Sequence, residues 1–168
     1  AELLLDGDSF LSCQIKKAEK LGIHKVYVSV HAAGADAFRN GTVKSSIHIQ
    51  MVPDIYRERG PLGGLHACMK AMDTPYCLVL PVDVPQFPEE TLEELLLAHE
   101  NSLGAAASEN AGSFGNGREG GNSGKPLLLV HGERTEPLMG IYPVCMADCI
   151  GEQIEKASAP VFRVLDAW

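Results

Sequence analysis

The stretch "YCLVLPVDVPQFP", residues 76–88, decides what fold to expect from this sequence. Its first seven residues are almost entirely apolar, which is typical of a short strand covered on both faces of a sheet. Asp83 follows the apolar run directly, and Pro81, Pro85 and Pro88 stiffen the turn around it. In open α/β sheets ligands bind beyond the carboxyl ends of the strands. Asp83 therefore stands where a working carboxylate is expected.

Strands and helices alternate around this stretch over the first hundred residues. Two runs rich in β-branched residues, 25–31 and 47–52, predict strands, while 9–22 and 61–72 predict helices. Such alternation indicates an α/β fold in which helices cover a mostly parallel sheet. We therefore expect both strands to share one sheet with the apolar run quoted above.

The second half of the sequence is less regular. The stretch "GAAAS" (104–108) suggests a strand, 126–132 predicts a strand, and 139–157 predicts a short strand followed by a final helix. The segment 109–125 is rich in glycine and asparagine and has almost nothing to bury, so it predicts a flexible Gly-rich loop. A last apolar segment, 161–165, is expected to be buried.

The bulk composition bounds the class of protein. With 168 residues, 45% hydrophobic and 21% charged, the sequence indicates a single soluble domain over 1–168. The net charge of −8 argues against non-specific binding to nucleic acid, and no apolar run reaches the roughly 18 residues of a membrane span. Five cysteines at irregular spacing favour reduced thiols in the cytoplasm over disulfides or a zinc site.

Two roles are open for Asp83 on the residues alone. A single carboxylate on a rigid loop suits Mg²⁺, which usually takes one or two protein oxygens and completes its shell with phosphates and water. An aspartate at this point can equally cap the turn before the next helix. The spacing of the residues does not separate the metal role from the capping role.

Glycines crowd the start of the helix in "GPLGGLHACMK", residues 60–70. Pro61 suits the first helical position after Gly60, but Gly63 and Gly64 each weaken a helix by about 1 kcal/mol relative to alanine. One explanation is that a ligand lies against the bare backbone, where free N–H groups and the helix dipole favour an anion. The other explanation is close packing between the helix and the sheet.

Two further polar residues fall at predicted strand ends. Asp54 comes just after the strand 47–52, and Ser29 lies near the end of the strand 25–31. The carboxyl ends of parallel strands meet at one edge of a sheet, so both side chains are expected on the same rim as Asp83.

Several of these motifs together resemble a known family. "GPLGGL" (60–65) is followed by "LVLPVDVP" (78–85), and the likeness extends to "LLLDGDSFL" (3–11), "VPD" (52–54) and "ERTEPLMGIY" (133–142). This combination, in this order, resembles the nucleotidyltransferase family that makes molybdenum cofactor dinucleotides. Each motif alone is weak, whereas the combination is fairly specific.

The resemblance implies a fold and an activity. The fold would be a Rossmann-like three-layer nucleotidyltransferase fold, and the reaction the transfer of GMP from GTP to molybdenum-molybdopterin with release of pyrophosphate. Asp83 would be the catalytic residue that holds Mg²⁺. The guanine nucleotide would contact Asp54, the turn at Gly60 and Pro61, and the bare backbone at Gly63.

The same resemblance places Ser29 near the nucleotide. It also makes molybdoenzymes or other proteins of cofactor biosynthesis the expected protein partners. The family's glycine-rich phosphate loop and its first strand precede the segment that resembles 3–11, and neither occurs within the sequence. We therefore expect an N-terminal stretch upstream of Ala1.

Other functions remain open on these residues. Cytidylyl transfer to the pterin, or nucleotide transfer to a sugar phosphate, would use the same fold and the same carboxylate. A non-catalytic nucleotide-binding module is the alternative from another class, and true loss of the phosphate loop would favour it.

Overall fold

A short hairpin leads directly into the first helix. The computed structural model describes residues 4–31, 45–56, 60–110 and 125–156. Strands β1 (Leu4–Leu5) and β2 (Asp8–Ser9) pair antiparallel, and the turn between them is made by Asp6 and Gly7, both with positive φ, as a tight two-residue hairpin requires. Helix α1 (Phe10–Lys20) begins where the Ser9 hydroxyl accepts a hydrogen bond from the Ser12 backbone N–H. The predicted helix and its N-cap are confirmed.

A parallel pair of strands follows. Strand β3 (Lys25–Val30) pairs with β4 (His48–Pro53) in register from Lys25 opposite His48 to Val30 opposite Pro53. Alternate side chains point to opposite faces, so each strand serves two layers. Ile15 and Ala18 of α1 pack on one face, against a cluster that contains Ile47, Val26 and Ile49. Helix α2 (Pro61–Ala71) packs on the other face through Ala67 and Cys68, against Val52 and Tyr27.

The remaining strands form a separate hydrogen-bonded unit. Strand β5 (Tyr76–Val79) and strand β6 (Leu127–His131) flank the longer β7 (Arg134–Pro143), and both pairings are antiparallel. Helix α3 (Glu89–Asn110) joins the part of the chain after β5 to the later strands. A short 3-10 helix (Val144–Met146) and helix α4 (Ala147–Lys156) follow β7.

Helix α2 lies at the centre of the described structure. Every residue from Leu62 to Met69 is buried, so this helix has no solvent-facing stripe along that length. Leu65 and Met69 join the largest core cluster, which contains Cys77 of β5, Tyr142 of β7 and several residues of α4. The helix therefore connects the β3–β4 pair with the antiparallel unit. Along the described ranges, no helix combines the length and apolar character that crossing a membrane requires.

The pairing of β5 differs from the prediction. Mixed helices and strands confirm the α/β class in outline, but among the described residues β5 pairs with β7 and not with β3 or β4. The three strands expected in one sheet therefore fall into two hydrogen-bonded sheets. The partner of β5 comes from far along the chain and runs antiparallel to it, and a count of alternating elements carries no information about such a pairing.

The end of α3 corrects two further predictions. The stretch 104–108, suggested as a strand, continues the helix as far as Asn110. Its three alanines are the strongest helix formers, and one glycine does not outweigh them. The predicted Gly-rich loop 109–125 therefore starts too early, because 109 and 110 belong to α3. Positions 111–124 of that loop, and the apolar segment 161–165, lie outside the described residues.

Candidate functional site

Ser29 and Asp54 meet at the ends of the parallel pair. The Asp54 backbone N–H donates to the Val30 carbonyl oxygen at 3.1 Å, which continues the pairing one step beyond β4. The Ser29 Oγ then donates to the Asp54 Oδ1 at 2.5 Å. This bond orients the carboxylate, and among the described residues no donor reaches its second oxygen. Of the three side chains predicted for one rim, Ser29 and Asp54 are thus in direct contact.

The first turn of α2 lies over this pair. A Cβ added at Gly64 would lie 2.9 Å from the Ser29 Cβ and 3.4 Å from the Asp54 Oδ1. The helix backbone therefore approaches the strand ends more closely than a side chain allows. At Gly64 the close-packing explanation is the correct one. At Gly63 a ligand against the backbone stays a prediction.

The turn at Gly60 sets the direction of α2. Gly60 has φ 60° and ψ −154°, a conformation that favours glycine, and its carbonyl accepts from the Gly63 N–H at 3.1 Å. Pro61 occupies the start of the helix, where the missing N–H costs nothing, as predicted. Both residues are exposed, so the positive end of the helix dipole faces solvent.

Asp83 stands on a separate loop, four residues beyond the end of β5. It is exposed, and among the described residues no hydrogen-bond donor engages its carboxylate. A capping aspartate would accept a backbone N–H, which the described residues do not supply, and the ligand role of Asp83 stays a prediction. Val82 and Val84 on either side are also exposed, at 51% and 36%.

Helix α1 holds this loop in place. Gln14, only 8% exposed, donates through Nε2 to the Pro81 carbonyl at 2.7 Å and to the Val84 carbonyl at 3.2 Å. Lys17 Nζ donates to the Phe87 carbonyl at 2.6 Å, and burial lowers the pKa of this lysine. The backbone on both sides of Asp83 is therefore bonded to one helix.

Sequence reasoning missed Gln14 and Lys17. A signal was present, because the two residues lie three positions apart beside the apolar stripe of Leu11, Ile15 and Ala18. Polar side chains beside a buried stripe need partners, which the sequence does not name.

The arrangement can bind an anion and a hard cation at separate points. Within the described ranges no group of three or more His, Cys, Asp or Glu side chains is placed to hold a metal ion. The free Asp83 carboxylate nevertheless fits Mg²⁺, which needs few protein oxygens when phosphates supply the rest. The start of α2, whose Gly64 lies against Ser29 and Asp54, fits a phosphate or a nucleoside.

Curated proteins of one kind are similar in sequence to this chain. The Pseudomonas fluorescens protein named molybdenum cofactor guanylyltransferase is 35% identical over 111 residues, 64% of this chain and 46% of that protein. A Flavobacterium johnsoniae protein named probable molybdenum cofactor guanylyltransferase is 28% identical over 116 residues, 69% of this chain and 50% of that protein. The chain thus spans about half the length of the curated relatives it matches.

Solved structures share the fold. The molybdopterin-guanine dinucleotide biosynthesis protein A of Archaeoglobus fulgidus matches with a TM-score of 0.64 at 18% identity, over 99% of this chain and 70% of that one. A protein of Aquifex aeolicus matches with a TM-score of 0.57 at 19% identity, over 99% and 77%. The sequence model of the MobA-like NTP transferase domain matches residues 1–162. The chain therefore belongs to the MobA-like NTP transferase family.

Proposed function

We propose that this protein transfers GMP from GTP to molybdenum-molybdopterin, giving molybdopterin guanine dinucleotide and pyrophosphate. Family membership and the names of the relatives support this reaction. The observation that carries the proposal is the position of Asp83. Its carboxylate is exposed, no described residue donates to it, and Gln14 anchors the loop on which it lies. A nucleotidyltransferase needs such a fixed anionic ligand beside the phosphates.

The chain's own residues would position the nucleotide. Asp54, oriented by Ser29, would accept hydrogen bonds from the nucleoside, and the start of α2 at Gly60 would face its negative charge. Asp83 would hold Mg²⁺, which when bound neutralises charge on the phosphoryl oxygens. The terminal phosphate oxygen of the pterin would then attack the α-phosphorus of GTP. The bond from this phosphorus to the oxygen that bridges it to the β-phosphorus would break, and pyrophosphate would leave with the electron pair of that bond.

The finer architecture belongs to the same proposal. We infer a Rossmann-like three-layer fold in one domain, with a mostly parallel sheet. Strands β3 and β4 pair parallel, with α1 on one face and α2 on the other, which supports such a layered fold. Helix α2 packs on both hydrogen-bonded units, which supports a single domain.

Location and partners are inferred as well. The five cysteines are free thiols, including the exposed Cys145, which supports the predicted reducing environment of the cytoplasm. GTP and molybdopterin are the substrates of the proposed reaction. Molybdoenzymes, or other proteins of cofactor biosynthesis, are the protein partners that the reaction product implies.

The test compares nucleotides with the full-length protein, Mg²⁺ and molybdenum-molybdopterin as acceptor. GTP should be used, and CTP and ATP should be used poorly. Asp83→Asn keeps the shape of the side chain but removes its charge, so turnover should fall by orders of magnitude while the free energy of unfolding barely changes. Asp73→Asn, at an exposed aspartate paired with Lys25, is the matched control and should retain activity.

Other outcomes would select the alternatives. Preference for CTP would establish cytidylyl transfer, and turnover with a sugar phosphate as acceptor would establish a sugar nucleotidyltransferase. No turnover with any nucleotide, together with measurable GTP binding, would leave the non-catalytic binding module. A stability loss of about 1 kcal/mol in Asp83→Asn with activity retained would indicate the capping role.

A further inference from the structure

One side chain ties the segment after Asp54 to two helices. Tyr56 lies two residues beyond Asp54 and four residues before Gly60. Its ring packs against the His66 ring of α2, with centroids 5.1 Å apart and planes inclined by 59°. Its hydroxyl donates to the Glu155 Oε1 of α4 at 2.7 Å. The chain just after Asp54 is therefore attached to both α2 and α4.

A glycine in α4 makes room for the ring pair. A Cβ at Gly151 would lie 2.9 Å from the His66 Nε2 and 3.7 Å from the Tyr56 hydroxyl oxygen. His66 itself is 7% exposed, and within the described structure its Nδ1 has no hydrogen-bond partner. A buried polar ring of this kind needs a specific reason at its position. Here the ring packs against the Tyr56 ring in a tilted arrangement.

We propose that Tyr56 is a positioning residue for the nucleotide site. The contacts of Tyr56 with His66 and Glu155, together called the tyrosine clamp, hold the chain just after Asp54 against α2 and α4. Helix α4 thereby sets the placement of the Asp54 carboxylate relative to the first turn of α2. The effect on nucleotide binding rests on the proposed function, whereas the effect on the segment itself does not.

A simpler role would be to hold α4 against α2. Lys70 and Asp148 already join these helices through a 2.9 Å ion pair between exposed side chains, and neither residue takes part in the clamp. The two interactions therefore provide a matched comparison. Loss of the ion pair tests helix docking alone, and loss of the hydroxyl–carboxylate bond tests the position of the segment.

Four variants of the full-length protein separate these roles. Tyr56→Phe keeps the ring and removes the donor, and Glu155→Ala removes the acceptor. Glu155→Gln keeps an acceptor oxygen and should restore most of the lost effect. Asp148→Asn is the control. Amide exchange at Asp54, whose N–H is bonded to the Val30 carbonyl, reports on the segment without any ligand.

We expect Tyr56→Phe and Glu155→Ala to speed exchange at Asp54 and to raise the KM for GTP, each about three- to tenfold, as for one charge-assisted hydrogen bond. The kcat should change less than the KM. A further variant that combines Tyr56→Phe with Glu155→Ala should behave as either single variant does, because both substitutions remove the same bond. Asp148→Asn should leave exchange at Asp54 and the KM unchanged.

Two results would overturn the clamp. One is unchanged exchange at Asp54 in Tyr56→Phe and Glu155→Ala. The other is an equal effect of Asp148→Asn, which would reduce the contact to helix docking. If the protein does not bind GTP, the proposed function and the link of the clamp to nucleotide are refuted. Faster exchange at Asp54 in the clamp variants would then still establish that the clamp positions the segment.

Discussion

A missing methyl group at Gly64 permits the contact between α2 and the ends of β3 and β4. Gly64→Ala would gain about 1 kcal/mol in helix propensity but would place a Cβ 2.9 Å from the Ser29 Cβ. Neither carbon can rotate away, so overpacking should dominate, and we expect a net loss of about 1 to 3 kcal/mol in the free energy of unfolding. Urea unfolding of the two proteins measures this loss. Equal or greater stability of the variant would show that the helix can shift.

The neighbouring Gly63 is predicted to behave differently. If nucleotide lies against the backbone there, Gly63→Ala should weaken GTP binding without lowering the free energy of unfolding, since alanine favours the helix. Calorimetric titration with GTP, beside a urea curve, separates the two effects. Unchanged GTP affinity with reduced stability would assign Gly63 to packing, like Gly64.

His66 should make folding sensitive to mild acid. Burial lowers its pKa below the usual 6.5, and the nearby Lys70 adds to this shift. The unfolded chain therefore binds a proton that the folded chain resists, so the free energy of unfolding should fall as the pH drops from 7.5 through 6.5. Urea unfolding at several pH values measures the slope. His66→Leu should flatten it, and an equal slope in that variant would assign the effect to other groups.

At the scale of elements, α1 acts as the support of the Asp83 loop. Gln14→Met keeps the length of the side chain but removes both hydrogen bonds to the loop, together with an amide oxygen that has no partner in the described structure. The free energy of unfolding should change by no more than about 1 kcal/mol. The substitution removes two hydrogen bonds, but it also removes a buried amide oxygen that lacks a partner, and the two effects oppose each other. Mg²⁺-dependent turnover should fall severalfold, as the loop loses its anchor.

The control for this prediction lies on the outer side of the same helix. Lys16 pairs with Asp8 at the surface, and Lys16→Gln should leave turnover unchanged. Full activity in Gln14→Met would show that the three prolines alone hold Asp83 in place.

The elements that the sequence predicted well are those with local signals. Helix α1 was predicted with its cap because Ser9 and the apolar stripe lie within one segment, and β3 and β4 because β-branched residues mark them. The length of α3 was not predicted, because the alanines that extend it also fit a short buried strand. The pairing of β5 with β7 depends on a contact over more than sixty residues, and no local pattern encodes it.

At the scale of the whole molecule, α2 unites the described structure. Met69, 1% exposed, lies in the core cluster shared by α2, α4, β5 and β7. Met69→Ala should therefore lower the free energy of unfolding by about 2 to 5 kcal/mol. Circular dichroism and the fluorescence of the tyrosines, which include the buried Tyr142, should still report one transition. Met72→Ala, at a half-buried position, should cost less, and two separate transitions in either variant would contradict a single cooperative unit.

Some residues of the candidate site could be predicted from the sequence, and others could not. Strand ends and glycines pointed to Ser29, Asp54 and Gly60, and the structure brings the first two into contact. Asp83 lies four residues beyond the end of β5 and not directly after it, because the strand ends at Val79 and not at Val82 as the apolar run predicted. The supporting side chains, Gln14 and Tyr56, were missed because their partners lie on other elements, and only the folded chain brings them together.

The free thiols have a practical consequence for measuring this protein. Burial raises the pKa of Cys68 to about 11 and that of Cys77 to about 12, so both stay protonated and shielded near neutral pH. Cys145 is exposed, on the short 3-10 helix just before α4. A maleimide dye at mild pH should thus attach first at Cys145, beside the helix that carries Glu155. A dye at Cys145 would therefore report on motion of α4, and no engineered cysteine is needed.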